Sequence, residues 1–336
     1  RLVVPVRRAL QARLPPAGRY ERECAAFPGD ALAVREIRED VEVMASKARP
    51  KKVTVLTHCG REVPLLCKRE KDGDLRKDSR LMEIGGIVNH LLRKDPEGRR
   101  RDMQLRTYSV ICLNEECGLL EWVPNTKGIR HVINEAYTYY PDRSNPTIRE
   151  LKGKYEYVQT AYKNDLAKMA SEYQNAFYPM FPPVLHRWFL ERFPEPGAWF
   201  EARTLFARTA ALWSAFGHVV GLGDRHGENV LVDLGSGACL HVDFDCLFDK
   251  GLRLAVPEIV PFRLTPQVVD AFGAAKVEGA FRAAMEVALA VLRAHRATLL
   301  SVLEGFLQDP TVGWQRLGKA QRPEGNGGGG GGRRAA

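Results

Sequence analysis

The chain has 336 residues, 45% hydrophobic and 27% charged, an ordinary globular balance with length enough for two lobes with their own cores. Its net charge of +9 suits phosphate ligands or an acidic partner but does not by itself establish nucleic-acid binding, and no groove-reading motif accompanies it. The seven cysteines are odd in number and lack the spacing of a disulfide framework or a complete zinc site, which points to a reducing compartment.

No signal peptide is predicted, because the basic stretch from Arg1 to Arg8 is not followed by a sustained apolar run. The most apolar helical segment, 205–222, is interrupted by Arg208 and His218, so no membrane span is predicted.

Leu2-Val3-Val4-Pro5-Val6 reads as a short strand, with loops marked by Pro15-Pro16 and Pro28-Gly29. Strands are expected over 53–57 and 63–68, joined by a turn at His58-Cys59-Gly60-Arg61. Leu81, Ile84, Val88, Leu91 and Leu92 recur at helical spacing; Gly85-Gly86 weakens that helix without cancelling the pattern. Arg99-Arg100-Arg101 reads as a solvated face rather than a DNA patch. Two strand-like stretches follow, over 106–113 and 119–123, the second ending at Pro124.

The segment 132–178 is aromatic and charged, with a loop suggested by Pro141, Pro146 and Gly153. A helix begins at 185–190, Pro194-Glu195-Pro196-Gly197 breaks it, and a long apolar-periodic helix covers 199–220. Strands over 230–234 and 239–243 flank Gly235-Ser236-Gly237, a hairpin signal. Cys239, His241 and Cys246 read as packing. One or two amphipathic helices cover 281–307, and 327–332 is a glycine run with no core-forming residues.

The densest chemical signal is Gly221-Leu222-Gly223-Asp224-Arg225-His226-Gly227-Glu228-Asn229, followed on the next strand by His241-Val242-Asp243-Phe244. An acid, an Asn five positions on, and a later Asp-Phe pair are how kinases place a base and two metal ligands. Phosphoryl transfer needs in-line positioning and compensation of phosphate charge. Asp224 can accept or orient a hydroxyl proton. Asn229 and Asp243 offer oxygen ligands of the kind Mg²⁺ prefers. His226 can donate to a moving phosphoryl group. Each residue alone has a plainer reading, as a turn former, cap or surface histidine; all four in this order do not. Gly221-Leu222-Gly223 does not open a dinucleotide fingerprint, since His226 stands where the third glycine would fall.

The order Asp-Arg-His, with His and Asp exchanged about Arg225 relative to protein kinases, resembles the phosphatidylinositol 3-kinase superfamily and its protein-kinase branch, the PIKKs. Pro257-Glu258-Ile259-Val260-Pro261-Phe262-Arg263-Leu264-Thr265 is similar to the close of the PIKK activation loop. Within that family, the stretch from Leu113 to Trp122 and Val242-Asp243-Phe244-Asp245-Cys246-Leu247-Phe248 most resemble the ATR-type branch. The resemblance runs from about Leu2 to Trp314.

The resemblance implies an α+β, bilobal protein-kinase-like fold of the PI3/PI4-kinase superfamily, with a β-rich N-lobe and hinge over 1–123, a helical C-lobe over 124–318, and a glycine-rich tail over 319–336. It implies ATP with Mg²⁺ or Mn²⁺. Ser46, in Met44-Ala45-Ser46-Lys47-Ala48-Arg49-Pro50, would approach the phosphates in place of a glycine-rich loop. Lys68 would contact the α- and β-phosphates. Asp78, or less favourably Asp74, would face Lys68, although the stretch between them is slightly longer than in the family.

Tyr108 would reach the inner end of the nucleotide pocket and Trp122 pack on adenine, with the backbone of Glu121 and Val123 bonding the base; taken alone, Trp122 is more often a core residue. Asp243, Phe244, Asp245, Pro261, Phe262 and Arg263 would belong to the activation loop, where Asp245 replaces the commoner glycine.

The family phosphorylates Ser or Thr followed by Gln, in the nucleus, in DNA-damage and replication checkpoint signalling, with a regulatory partner and activators. DNA contact would be indirect, and no membrane partner is expected. Two alternatives stand beside the protein kinase: a phosphoinositide kinase and a catalytically silent scaffold. Between Asp243 and Pro261 only Lys250 and Arg253 are basic, beside four acids, which favours a protein over an inositol phosphate substrate. Retention of Lys68, Asp224, Asn229 and Asp243 opposes the scaffold. Family members are very large, so the chain reads as a catalytic fragment; the small C-terminal FATC element that the resemblance leads one to expect is not visible after Trp314.

Overall fold

The computed structural model describes residues 2–6, 32–46, 48–70, 75–114, 116–139, 148–254 and 256–308. The chain divides into two compact units. One comprises Arg1–Met82, Tyr108–Trp122 and Ala297–Ala336; the other comprises Glu83–Thr107 and Val123–Arg296.

The first unit is built on a five-stranded antiparallel sheet. Its strands are β1 (Val34–Val43), β2 (Lys51–Thr57), β3 (Glu62–Arg69), β4 (Val110–Cys112) and β5 (Cys117–Glu121), in the order β1-β2-β3-β5-β4. Val53 pairs with Leu65 and Val55 with Val63, and Leu119 of β5 sits opposite Cys67, so aliphatics of adjacent strands pack against one another. Val4, Val6, Val55 and Leu65 form the buried cluster beneath it. The β2–β3 turn lies where the sequence predicts it, with Gly60 at φ +79°.

Leu2–Val6 is not a sheet strand. Pro5 offers no N–H for a ladder, and the segment is held by a single bridge, Val3 to Ala33. The predicted strand over 106–113 is confined to β4, with Arg106 to Ser109 outside the ladder. Trp122 and Val123 likewise follow the end of β5.

Helix α1 (Leu75–Lys94) runs through both glycines unbroken, burying Leu75, Leu81, Met82, Ile84, Val88 and Leu92. Packing of that stripe outweighs the weak local propensity of the Gly-Gly pair. Helix α2 (Pro96–Arg100) is capped by Asp95, whose carboxylate accepts the Gly98 N–H at 2.8 Å. Glu97 pairs with Arg100 at 2.5 Å and Arg101 at 3.1 Å; Arg99 and Arg100 are solvated, as predicted, while Arg101 is half-buried.

The second unit is mainly helical. It contains α3 (Ile129–Ala136), α4 (Ile148–Ala161), α5 (Leu166–Glu172), α6 (Leu185–Arg192), α7 (Pro196–Val219), α8 (Pro266–Ala271) and α9 (Ala280–Ala294); α10 (Arg296–Gln308) follows into the first unit. A three-stranded sheet orders β6 (Thr126–Gly128), β7 (Val230–Asp233) and β8 (Cys239–His241) as β6-β7-β8.

The predicted break holds, with α6 ending at Arg192, but α7 starts at Pro196 rather than at 199, since a first-turn proline sacrifices no hydrogen bond. α7 is the axis of this core: Phe206, Ala211, Leu212, Trp213, Ala215 and Phe216 are all buried. A chain of ring contacts, Phe189–Phe206–Phe272–Phe281, joins α6, α7, α8 and α9 with centroids 4.9–6.0 Å apart. β8 ends at His241, two residues short of the predicted strand, because Asp243 turns to φ +63°.

Candidate functional site

Asp224 to Asn229 form a tight loop between α7 and β7. Asp224 itself is exposed and sits at φ +56°, in the left-handed region that Asp and Asn tolerate better than most residues. Both of its peptide groups are engaged. Its carbonyl accepts the His226 N–H at 3.0 Å and the Asn229 side-chain amide at 2.9 Å. Its N–H donates to Glu258 Oε2 at 2.7 Å.

His226 is exposed, and its Nδ1 accepts the Glu228 N–H at 3.2 Å. A neutral ring accepting there carries its proton on Nε2, which leaves an N–H donor. Asn229 is buried; its amide nitrogen is used on Asp224, and its carbonyl oxygen is the end suited to a cation.

Asp243 is brought to this loop through the backbone. The Val242 N–H donates to the Asn229 carbonyl at 3.0 Å. Arg225, buried beneath the loop, ties both segments together: Nε donates to the Gly223 carbonyl at 2.9 Å, one terminal nitrogen to the Val242 carbonyl at 2.8 Å, and the other to the Asp243 carbonyl. Its guanidinium also lies 5.6 Å from the Phe244 ring, which stacks on Trp213. The structure thus brings Asp224, His226, Asn229 and Asp243 into one loop assembly. Arg225 is the organiser that sequence reasoning left without a role, because its hydrogen-bond partners are backbone carbonyls.

Among the described residues, no group of three His, Cys, Asp or Glu is placed to hold a metal. A one-carboxylate, one-amide set fits Mg²⁺, which keeps several waters and takes few protein ligands, and does not fit a structural zinc ion.

The segment after Asp243 runs back along the loop. The Phe248 N–H donates to the Val220 carbonyl and the Asp249 N–H to the Gly221 carbonyl, both at 3.0 Å. Gly221 is required there: its φ is +58°, and a Cβ would lie 2.5 Å from the Asp249 nitrogen. Asp245 pairs with Lys250 at 2.5 Å, so one of the two loop cations is locally neutralised. Phe262 rests 6.4 Å from Phe281. A cavity of about 460 Å³ beside His226 and Gly227 is walled by Trp213, Pro261, Phe262 and Arg263, large enough for a substrate side chain.

Cys239, His241 and Cys246 are packing residues. Burial pushes the Cys239 thiol up to about 12. Burial, then the Arg225 cation, hold His241 well below the usual histidine range, and its neutral ring lies flat on Trp213 at 4.9 Å.

The remaining predicted residues, Val123 apart, belong to the first unit. Ser46 sits in the tight β1–β2 turn, its N–H bonded to the Met44 carbonyl at 2.9 Å and its carbonyl accepting from Arg49 N–H at 3.1 Å. Lys68 is buried near the end of β3 and pairs with Glu70, a carboxylate that the sequence reading did not single out. Asp78 is buried in the first turn of α1, whereas Asp74 lies outside the described residues. Tyr108 is buried. The Glu121 N–H is engaged by the Ser109 carbonyl at 2.8 Å, so it cannot also serve a base. Trp122 is half-buried with Lys52 Nζ 4.9 Å over its ring, not a core residue. In the second unit, the Val123 carbonyl accepts the Thr126 hydroxyl at 2.9 Å.

The family model described as phosphatidylinositol 3- and 4-kinase matches residues 62–316. The chain is 45% identical over 331 residues to the Serine/threonine-protein kinase ATR of Arabidopsis thaliana, covering 96% of this chain and 12% of that protein. It is 43% identical over 317 residues to the Protein kinase rad3 of Schizosaccharomyces pombe, covering 94% and 13%. The solved FAT and kinase domain of CtTel1 superposes with a TM-score of 0.77 at 31% identity, over 91% of this chain and 22% of that one. The chain therefore spans about an eighth of the length of the curated relatives it matches.

Proposed function

The chain belongs to the phosphatidylinositol 3- and 4-kinase family, in its PIKK branch of the ATR type, and from that premise we propose that it is the catalytic part of an ATP-dependent serine/threonine protein kinase. The observation that carries the proposal is the assembly of Asp224, His226, Asn229 and Asp243 around the buried Arg225. Asp224 receives or orients the proton of the acceptor hydroxyl. His226 donates from Nε2 to the transferring phosphoryl group. Asn229 and Asp243 would hold Mg²⁺, which supplies charge compensation on the phosphates when bound. In the first unit, Lys68 is assigned to the α- and β-phosphates, Ser46 to the phosphate-facing turn, Asp78 and Tyr108 to the inner nucleotide pocket, and Trp122 to the adenine, with the Glu121 backbone carbonyl; Val123, in the second unit, is assigned a backbone contact to the base.

The substrates are proposed to be proteins carrying Ser or Thr followed by Gln, phosphorylated in the nucleus during DNA-damage and replication checkpoint signalling. A regulatory partner and activator proteins are part of the proposal, and DNA contact is indirect. The activation segment supports protein over lipid, since Lys250 is tied to Asp245 and Arg253 is the only other cation between Asp243 and Pro261.

The test is transfer of labelled phosphate from ATP to a Ser-Gln peptide, its Ser-Ala twin and phosphatidylinositol vesicles. Label on the Ser-Gln peptide alone, lost in Asp224→Ala, supports the protein kinase. Label on lipid moves the chain to the phosphoinositide kinases, and ATP binding without transfer to any acceptor leaves a scaffold or a fragment that is inactive apart from the rest of its protein.

A further inference from the structure

We infer that Glu258 is a positioning residue through which the activation segment sets the conformation of the base Asp224. Asp224 is held at φ +56° by bonds to both of its peptide groups. The carbonyl side is held from within the loop, by Asn229 and His226. The N–H side is held from outside it, by the Glu258 carboxylate at 2.7 Å. A left-handed Asp is a disfavoured conformer, and it persists only where its surroundings over-determine it. Removing one of its two restraints therefore releases the base.

The carboxylate is seated in a place made for it. It lies between Gly223 and Gly251, where a Cβ would meet Glu258 Oε2 at 2.6 Å and 2.7 Å respectively, so neither position accepts a side chain while the carboxylate is in place. The Glu258 N–H donates to the Gly251 carbonyl at 3.1 Å, which fixes the backbone that presents the side chain. The same segment is stitched to the start of the catalytic loop by the Gly223 N–H to the Cys246 carbonyl at 2.8 Å. Glu258 touches no reacting atom in this arrangement and acts through Asp224. Its consequence is regulatory: any partner or modification that lifts the activation segment removes the acceptor from the Asp224 N–H, and any that seats it restores the base.

The inference rests on the kinase assignment above, and its test separates the two. Glu258→Ala, Glu258→Gln and Gly251→Ala are made in the full-length protein. The expected result for Glu258→Ala is a kcat reduced about 10–100-fold, with KM for ATP and nucleotide affinity within about twofold, the pattern of a mispositioned base rather than a lost binding site. Glu258→Gln keeps an oxygen acceptor for the same N–H and should stay within about fivefold of wild type. Gly251→Ala drives the carboxylate from its seat without altering it and should reproduce the kcat loss.

Hydrogen exchange of the peptide spanning 221–231 should quicken in Glu258→Ala and Gly251→Ala, with α7 unchanged. Equal loss in the Gln and Ala variants, wild-type kcat in either Ala variant, or exchange that does not change would each overturn the inference. The exchange readout stands even where the wild type transfers no phosphate, an outcome that would sink the kinase assignment alone.

Discussion

Arg225→Met removes the organiser while keeping a side chain of similar reach. The arginine is 6% exposed and donates three bonds to the carbonyls of Gly223, Val242 and Asp243. Methionine fills much of the space, keeps contact with Phe244 and offers no donor. The buried Gly223 carbonyl left without its partner costs about 1–3 kcal/mol, the half-buried Val242 and Asp243 carbonyls less, and the three share one relaxation, so about 3 kcal/mol in total is the reasoned figure. For a unit of this size that corresponds to a melting temperature lower by about 6–12 °C.

Activity should fall further than stability does, because the carbonyls released belong to the segments that carry Asp224 and Asp243. Arg225→Lys should recover little, since an ammonium on a single stem cannot reach three carbonyls in fixed directions. The assay pairs thermal unfolding with phosphoryl transfer measured well below the new midpoint. A variant that melts within 2 °C of wild type, or that keeps more than half its turnover, would refute the assignment of Arg225 as organiser.

The remaining predictions follow from other named contacts. Asp224→Ala and Asp243→Ala should both abolish turnover, but only Asp243→Ala should weaken Mg²⁺-dependent nucleotide binding; equal loss of affinity contradicts the split of base and metal ligand. Burial alone would raise the Asp233 carboxyl, but the Arg106 guanidinium and the Ser236 and Gly235 amides outweigh it and hold the group below its usual value. Its folded pKa being depressed, the stability it contributes is present above about pH 4 and is lost as pH falls through the folded value; Arg106→Gln should flatten that acid limb in a denaturation series below pH 4. Thr209 Oγ accepts the buried Cys239 N–H at 2.8 Å, so Thr209→Val should cost about 1–3 kcal/mol by urea unfolding, whereas Thr209→Ser should cost less. Cys59 is exposed and its thiol is lowered by the Thr57 hydroxyl, while burial raises Cys239 to about 12; iodoacetamide should label Cys59 well before Cys239, which it should reach only on unfolding.

What could be read in advance divides along a physical line. The proximity of these four residues was legible because their types recur at a spacing that phosphoryl transfer would need: Asp224, His226 and Asn229 lie within six positions, and the hairpin carries Asp243 back beside them. α7 and α9 were legible from apolar periodicity, and the β2–β3 hairpin from Gly60.

Element ends were misread where one residue has two readings. Pro196 breaks a helix by propensity and starts one by position, and only the core behind α7 decides which. Arg106 to Ser109 have strand-like composition, yet Arg106 is drawn to Asp233, far away in sequence, and the ladder begins only at Val110. Arg225 and Glu258 show the same limit within the site. A guanidinium that binds three carbonyls and a carboxylate that binds one N–H have backbone as their partners, and backbone carries no sequence signal. Residues that perform chemistry are constrained in type and spacing together, so a sequence displays them. Those that hold the backbone for that chemistry are constrained only by the fold, and so it is the fold that assigns them.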